Sequence, residues 1–194
     1  TIYQMEVPLN TTIYRKMREE GKLIAPVATW PQKRAWVDYA FKQFESAGYT
    51  VTSAYTAVKN PEKTKFVYRD QLWTGADMLA LGVSSFGHIN GLHYQNQAHF
   101  DLYIDSIQKD TLPIFRSYMT TDDERMIREL ILQMKTGLVS LPYFKDKFGT
   151  NIIKRFPDAI SVLKKDHVAE ISSDTIRLTR SGLLKIDTYL HHFF

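Results

Sequence analysis

Five side chains with hydrogen-bonding or ring chemistry lie close together near the middle of the chain: His88, His93, Tyr94, Gln95 and Asn96. Imidazoles and amides can donate or accept hydrogen bonds, and the phenol ring offers a face for stacking. Such a set fits a flat, partly polar organic ligand. The alternative is a loop whose side chains hydrogen-bond only to its own backbone.

An unbroken apolar run, residues 78–83, precedes these side chains. It lacks polar alternation, which is typical of a strand buried on both faces in a parallel sheet. Gly82, Gly87 and Gly91 then allow sharp turns or a close approach of the backbone to another group. The pattern predicts polar groups just beyond the carboxyl end of a buried strand, where ligands bind in α/β proteins. A strand followed by an ordinary turn-rich loop fits the same pattern.

Metal and covalent chemistry have little support in the residue types. The spacings of His88, His93 and His99 do not place them on one helix face, as a hydrolytic zinc site requires. The chain has no cysteine, which excludes disulfides, thiolate zinc sites, a catalytic thiol and self-contained iron–sulfur ligation. Walker, dinucleotide-binding and serine-nucleophile motifs are also missing. We therefore predict no metal ligands in this chain.

Composition indicates a folded protein of one large or two small domains, since the 194 residues are 44% hydrophobic and 24% charged. The net charge of +4 is spread evenly and forms no basic block, so a nucleic-acid surface is not indicated. No signal peptide or apolar stretch of membrane-spanning length is visible. We expect a cytoplasmic protein without membrane contact. The chain begins at Thr1 rather than methionine, which indicates processing or a piece of a longer protein.

The first 112 residues are predicted to mix strands and helices. A strand over residues 2–7, a helix capped by Thr29 and a strand over residues 49–57 would make a βαβ unit with parallel strands. Further elements are a short helix over 13–20, a possible strand over 65–68 and a helix over 97–109. The pair Leu112-Pro113 is predicted to separate a first module, residues 1–112, from a second, residues 113–194.

The second module is predicted to be mainly helical. A capping box of Thr121 and Glu124 starts a helix that ends at Gly137. The remaining predictions are helices over 142–148 and 151–165, the latter interrupted at Pro157, a hairpin of 168–171 with 176–178, and a last helix from Thr179 to about His192. Helices followed by a two-stranded wing describe a winged-helix module.

Winged-helix modules often bind DNA through their third helix. That helix offers four basic residues: Lys154, Arg155, Lys164 and Lys165. A solvated helix face explains the same residues, and the even charge distribution favours that explanation. Nucleic-acid binding is therefore kept only as a third hypothesis.

Eight short segments, taken in order, form a recognisable pattern: Tyr3-Gln4-Met5-Glu6-Val7-Pro8, Ala47-Gly48-Tyr49, the run from Asp77 to Phe86, Tyr94-Gln95-Asn96, Thr121-Asp122-Asp123-Glu124, Tyr143-Phe144, Phe148-Gly149 and Leu178-Thr179-x-x-Gly182. Together they resemble the C-terminal half of the oxygen-independent coproporphyrinogen III oxidase family of radical S-adenosylmethionine (SAM) enzymes. The resemblance covers essentially the whole chain, and the residues around Gly87-His88-Ile89-Asn90-Gly91 are most similar to the haem-utilisation branch.

The resemblance implies a fold class of α/β plus mainly α. It would comprise the closing strands and helices of an incomplete (β/α) barrel, followed by a helical, winged-helix-like C-terminal domain. The family holds a 4Fe–4S cluster with an N-terminal Cys-x3-Cys-x2-Cys motif, which this cysteine-free chain lacks. The implied cofactors, SAM and the cluster, therefore belong to a parent protein with a missing N-terminal half, and the chain alone is expected to be inactive.

The resemblance also implies roles for single residues. Tyr3 and Glu6 fall on the strand beside cluster-bound SAM. Tyr68 and Phe86 fall where the oxidases contact a second SAM, but both differ from the oxidase residues, which puts that second site in doubt.

The implied partner is a tetrapyrrole, either haem or coproporphyrinogen. His88 or His93 could bind haem iron or a propionate, with Tyr94, Gln95 and Asn96 beside them. The parent would be a radical SAM oxidoreductase acting on the tetrapyrrole or, alternatively, a haem-binding chaperone without oxidase activity. An incomplete barrel exposes strand edges, so we also predict self-association of the chain.

Overall fold

The computed structural model describes residues 1–9, 11–21 and 28–194. The helices are α1 (Thr12–Glu19), α2 (Trp30–Ser46), α3 (Val67–Trp73), α4 (Phe100–Gln108), α5 (Asp122–Met134), α6 (Leu141–Phe148), α7 (Ile152–Arg155), α8 (Pro157–Lys165) and α9 (Arg180–Lys185). The strands are β1 (Thr50–Val51), β2 (Ala57–Val58), β3 (Phe86–Ile89), β4 (Leu92–Asn96), β5 (Ile114–Met119), β6 (Leu138–Ser140), β7 (Ala169–Ile171) and β8 (Thr175–Leu178). Two 3₁₀ turns, Ile186–Thr188 and Leu190–Phe193, follow α9.

The strands form three small antiparallel sheets, ordered β1-β2, β3-β4-β5 and β6-β8-β7. The predicted parallel βαβ unit is wrong, because β1 pairs antiparallel with β2 instead of with an N-terminal strand. Residues 2–7 form no strand, and Ile2 N–H donates a single backbone hydrogen bond of 2.7 Å to the Tyr55 carbonyl. A strand needs a neighbour along its length, and the described residues provide none here.

Residues 78–83 are also not the buried strand that was predicted. Leu79 and Leu81 are 66% and 78% exposed, and only Met78 forms an isolated bridge, with His88. The predicted loop after this run is instead the hairpin of β3 and β4. Asn90 and Gly91 turn the chain with φ of +46° and +80°, as a two-residue hairpin turn requires.

The helix predictions rest on local signals and are largely confirmed. Thr29 and Thr121 both cap their helices through full capping boxes, and Pro157 separates α7 from α8. The predicted strand over 65–68 is wrong, because α3 begins at Val67, and the last helix is shorter than predicted. The hairpin of β7 and β8 is confirmed and gains β6 as a third strand.

The main hydrophobic core lies in the second half of the chain, where α5 and α6 pack against α8, the last sheet and the C-terminal turns. Its fully buried members include Leu130, Phe144, Ile176 and Phe193. Of the described residues between 1 and 112, only Ala54 belongs to this core, with Tyr55 packed against it. The first half consequently exposes large apolar side chains on α4 and around residues 79–81. In the described ranges, none of the helices combines the length and apolar character that crossing a bilayer requires.

Candidate functional site

The candidate site is one face of the β3-β4-β5 sheet. Directly opposite residues in antiparallel strands project to the same side. Phe86 pairs with Gln95, which pairs with Arg116; His88 pairs with His93, which pairs with Tyr118. We call this surface the ring face; it consists of Phe86, His88, His93, Gln95, Arg116 and Tyr118.

The open part of the ring face is built for stacking. Phe86 lies against His93 with ring centroids 5.9 Å apart and an interplanar angle of 23°. Phe86 remains 47% exposed, so its ring can also contact a bound molecule. Arg116 Nε donates to Gln95 Oε1 at 2.8 Å, which holds a positive charge beside the rings. These residues line a shallow cavity of about 360 Å³.

His88 lies behind this open part and is only 4% exposed. Its Nδ1 atom is buried and has no hydrogen-bond partner among the described residues. Burial, together with the positive charge of Arg128 on α5, holds the pKa of His88 below its usual range, although Asp77 acts in the opposite direction. His88 is therefore a neutral, buried imidazole, and His93 is the histidine that a ligand can reach.

The buried His88 should make stability depend on pH. The pKa of His88 in the folded chain lies below the unfolded value of 6.5, so below that pH the unfolded chain binds a proton that the folded chain does not. The contribution of neutral His88 to the free energy of unfolding is therefore present above about pH 6.5 and is lost as the pH falls below it. We expect the His88→Gln variant to lose less stability than the wild type between pH 7 and pH 5 in urea unfolding. Exposed His99, changed to Gln, is the matched control. If the free energy of unfolding changed equally with pH in the wild type and in His88→Gln, His88 would not be the buried neutral histidine described.

Tyr94 and Asn96 project to the opposite side and hold the backbone of residues 78–83. The Tyr94 hydroxyl accepts a hydrogen bond from the Ala80 N–H at 2.9 Å, and the Tyr94 ring packs over Gly87. Asn96 Nδ2 donates to the Ala80 and Gly82 carbonyls at 3.3 and 3.1 Å. These contacts correspond to the loop alternative, in which side chains bond to the local backbone. A substrate contact for either residue remains a prediction.

The residues predicted to contact SAM are scattered. Tyr3 is 75% exposed and stacks on Tyr55 with centroids 5.6 Å apart, and Glu6 is exposed. Tyr68 is 62% exposed, and its hydroxyl lies 3.1 Å from Sδ of Met78, the residue that bridges to His88. Among the described residues, Phe86 alone of these four is on the ring face.

A buried ion-pair network, which the sequence analysis did not find, joins the two halves of the chain. Glu129, which is 4% exposed, accepts from Lys147 Nζ at 2.8 and 3.0 Å and from the Tyr143 hydroxyl at 2.5 Å. Lys147 Nζ also donates to the Thr74 carbonyl at 2.9 Å. The Tyr143 hydroxyl oxygen lies 2.9 Å from the same carbonyl, but its single proton is directed to Glu129. Gly75 lies against Glu129, where a β-carbon would overlap the carboxylate. The network anchors the end of α3 to α5 and α6.

The residues present do not fit an iron–sulfur cluster, because no cysteine thiolate exists to hold one. Over the ranges that the structure describes, no group of three or more His, Asp or Glu side chains is placed to hold a metal ion. No catalytic step can therefore be assigned to a cluster bound by this chain.

Fold and ring face together define an α/β segment with a mainly helical C-terminal half. A scan against models of known protein families finds no match. The chain is 23% identical over 188 residues to the "Heme chaperone HemW" of Bacillus subtilis (strain 168), covering 95% of this chain and 48% of HemW. The solved structure of coproporphyrinogen III oxidase (HemN) from Escherichia coli, described as a radical SAM enzyme, matches with a TM-score of 0.69 and 18% identity over 94% of this chain and 45% of HemN.

These two matches confirm the family resemblance that the short sequence segments indicated. They support the prediction of a C-terminal, HemN-like segment, and the likeness to HemN shows the fold. The chain spans about half the length of each of these relatives.

Proposed function

We propose that the chain is the tetrapyrrole-binding C-terminal part of a radical SAM protein. The observation that carries the proposal is the ring face, where Phe86 and the accessible imidazole of His93 form a flat surface beside Arg116. Such a surface suits a large planar ring with acidic substituents. SAM and a 4Fe–4S cluster would bind to the missing N-terminal half, where the cluster would supply the radical chemistry, and this chain would hold and orient the tetrapyrrole.

The barrel and the two-domain division belong to the same proposal. Apart from the Ile2–Tyr55 hydrogen bond and the Met78–His88 bridge, residues 2–7 and 78–83 lack strand neighbours among the described residues. Closing strands of a barrel would gain such neighbours from the missing half. Tyr3 and Glu6 would then lie beside cluster-bound SAM. Tyr68 and Phe86 would lie where the oxidases contact a second SAM, and the exposed ring of Phe86 could also pack against the tetrapyrrole. Until that half is present, the exposed apolar surface of α4 favours self-association.

The parent is either an oxidoreductase acting on the tetrapyrrole or a haem chaperone. The HemW match, which runs along 95% of this chain, supports the chaperone somewhat more. Reconstituted full-length protein separates the two functions. Product formed from haem or coproporphyrinogen would support an oxidoreductase, whereas stoichiometric haem transfer without turnover would support a chaperone.

Haemin binding tests the role of His93. If its imidazole is a ligand to haem iron, replacing it by alanine should weaken haemin affinity of the full-length protein by about tenfold or more and alter the Soret band. Exposed His99→Ala serves as the control and should bind like the wild type. Unchanged affinity and spectrum for the His93→Ala variant would remove this role.

A further inference from the structure

Arg128 on α5 is a half-buried guanidinium without an anionic partner. Among the described residues it makes no ion pair or hydrogen bond, and Glu129, its neighbour in sequence, is already bound by Lys147 and Tyr143. Burial consequently lowers the pKa of Arg128, with the charge of Glu129 acting the other way. A partly desolvated, unpaired cation is costly, so it indicates that a ligand supplies the missing anion.

The surroundings of Arg128 are mainly apolar. It lines an open groove of about 460 Å³ between α3 and α5, together with Leu72, Trp73, Ile127 and Ile131, and with the side chain of Glu124 and the chain-terminal Phe194. The Glu124 carboxylate is already bound by the Tyr118 hydroxyl and the Thr121 N–H, so the groove combines one unpaired cationic donor with aliphatic and indole surface. This combination suits a molecule with an apolar body and a carboxylate, because a guanidinium binds both carboxylate oxygens at once.

The groove connects to the ring face. Glu124, which also lines the groove, accepts a hydrogen bond of 2.7 Å from the Tyr118 hydroxyl of the ring face. Arg128 is also close enough to His88 for its charge to affect that imidazole. The two cavities share no lining residue and are linked by the Tyr118–Glu124 hydrogen bond, so a ligand stacked on the ring face would extend an acidic substituent past Glu124 to reach Arg128.

We propose that Arg128 binds a propionate of the tetrapyrrole, and that the apolar groove receives the ring edge that carries it. The proposal rests on the proposed function and adds to it the residue that selects ligands with a free carboxylate. Esterified or side-chain-free rings would be bound less well, since they cannot pair with the guanidinium.

The test compares protoporphyrin IX with its dimethyl ester, using quenching of tryptophan fluorescence as the readout. Trp73 lies in the groove, and a Trp73→Phe variant identifies its share of the signal. The Arg128→Met variant removes the charge and keeps an apolar side chain of similar length. Arg177→Met, at an exposed position on β8, is the matched control. Thermal melts check that each variant is folded.

We expect Arg128→Met to weaken protoporphyrin IX binding by about tenfold or more, as for loss of a charged hydrogen bond. The ester should bind the wild type more weakly and be insensitive to the substitution, and Arg177→Met should behave like the wild type. Equal binding of acid and ester, or of wild type and Arg128→Met, would overturn the role of Arg128 while leaving tetrapyrrole binding intact. If the wild type bound neither porphyrin, the proposed function itself would fail.

A second copy of the chain is the competing occupant of the groove. In that case the Trp73 signal would change with protein concentration and not with porphyrin. That result would also overturn the proposal.

Discussion

Replacing Gly182 by alanine is expected to destabilise the protein by about 4 kcal/mol, from overpacking and the loss of a backbone hydrogen bond. A β-carbon at this position would overlap the Val168 carbonyl oxygen. That oxygen already accepts the Thr179 N–H at 3.0 Å, where β8 leads into α9. Neither backbone can move easily, because Thr179 also caps α9 by accepting the Gly182 N–H.

Urea unfolding monitored by circular dichroism measures this change. The neighbouring Ser181→Ala variant, at an exposed position of the same helix, controls for the effect of alanine itself and should be within about 0.5 kcal/mol of the wild type. A Gly182→Ala variant as stable as Ser181→Ala would contradict the packing described between α9 and the start of β7.

Replacing Lys147 by methionine is expected to cost about 3 kcal/mol, because it leaves the Glu129 carboxylate buried without its cation. The two partners differ in exposure: the Glu129 side chain is 5% exposed and that of Lys147 is 39% exposed. Glu129→Gln should therefore cost less, about 1 kcal/mol, since the released ammonium can be solvated by water.

The asymmetry between these variants is the diagnostic result. In denaturant unfolding, Lys147→Met should be the less stable variant, and the double variant with Glu129→Gln should recover part of the loss because no buried charge remains. Lys145→Met, at an exposed position on the same helix, is the control. If the Lys147→Met and Lys145→Met variants were equally stable, the ion pair with Lys147 would not be what offsets the cost of burying the Glu129 carboxylate.

The helices could be predicted because their signals are local. The capping boxes at Thr29 and Thr121 and the break at Pro157 each lie within a few residues of the structure that they determine. The strand over residues 78–83 was predicted wrongly, because burial depends on distant neighbours and an apolar run does not say whether they are present. The Asn90-Gly91 pair is a local hairpin signal, and the prediction of a strand followed by a loop did not include it.

The candidate site could be predicted only in part. His93 was selected by residue type and Phe86 by the family resemblance, but their contact depends on the register that the hairpin sets. The same alternation directs Tyr94 and Asn96 to the other face, where they bond to the backbone. The network of Glu129 has partners 14 and 18 residues away and a third contact at Thr74, so no local spacing indicated it.

The central claim is that this segment holds a tetrapyrrole on the ring face of the β3-β4-β5 sheet. The most direct test is an absorption titration of the wild-type full-length protein with haemin. If a tetrapyrrole binds on the ring face, the Soret band should shift and saturate at one haemin per chain. A spectrum that remains that of free haemin beyond equimolar addition would contradict the claim.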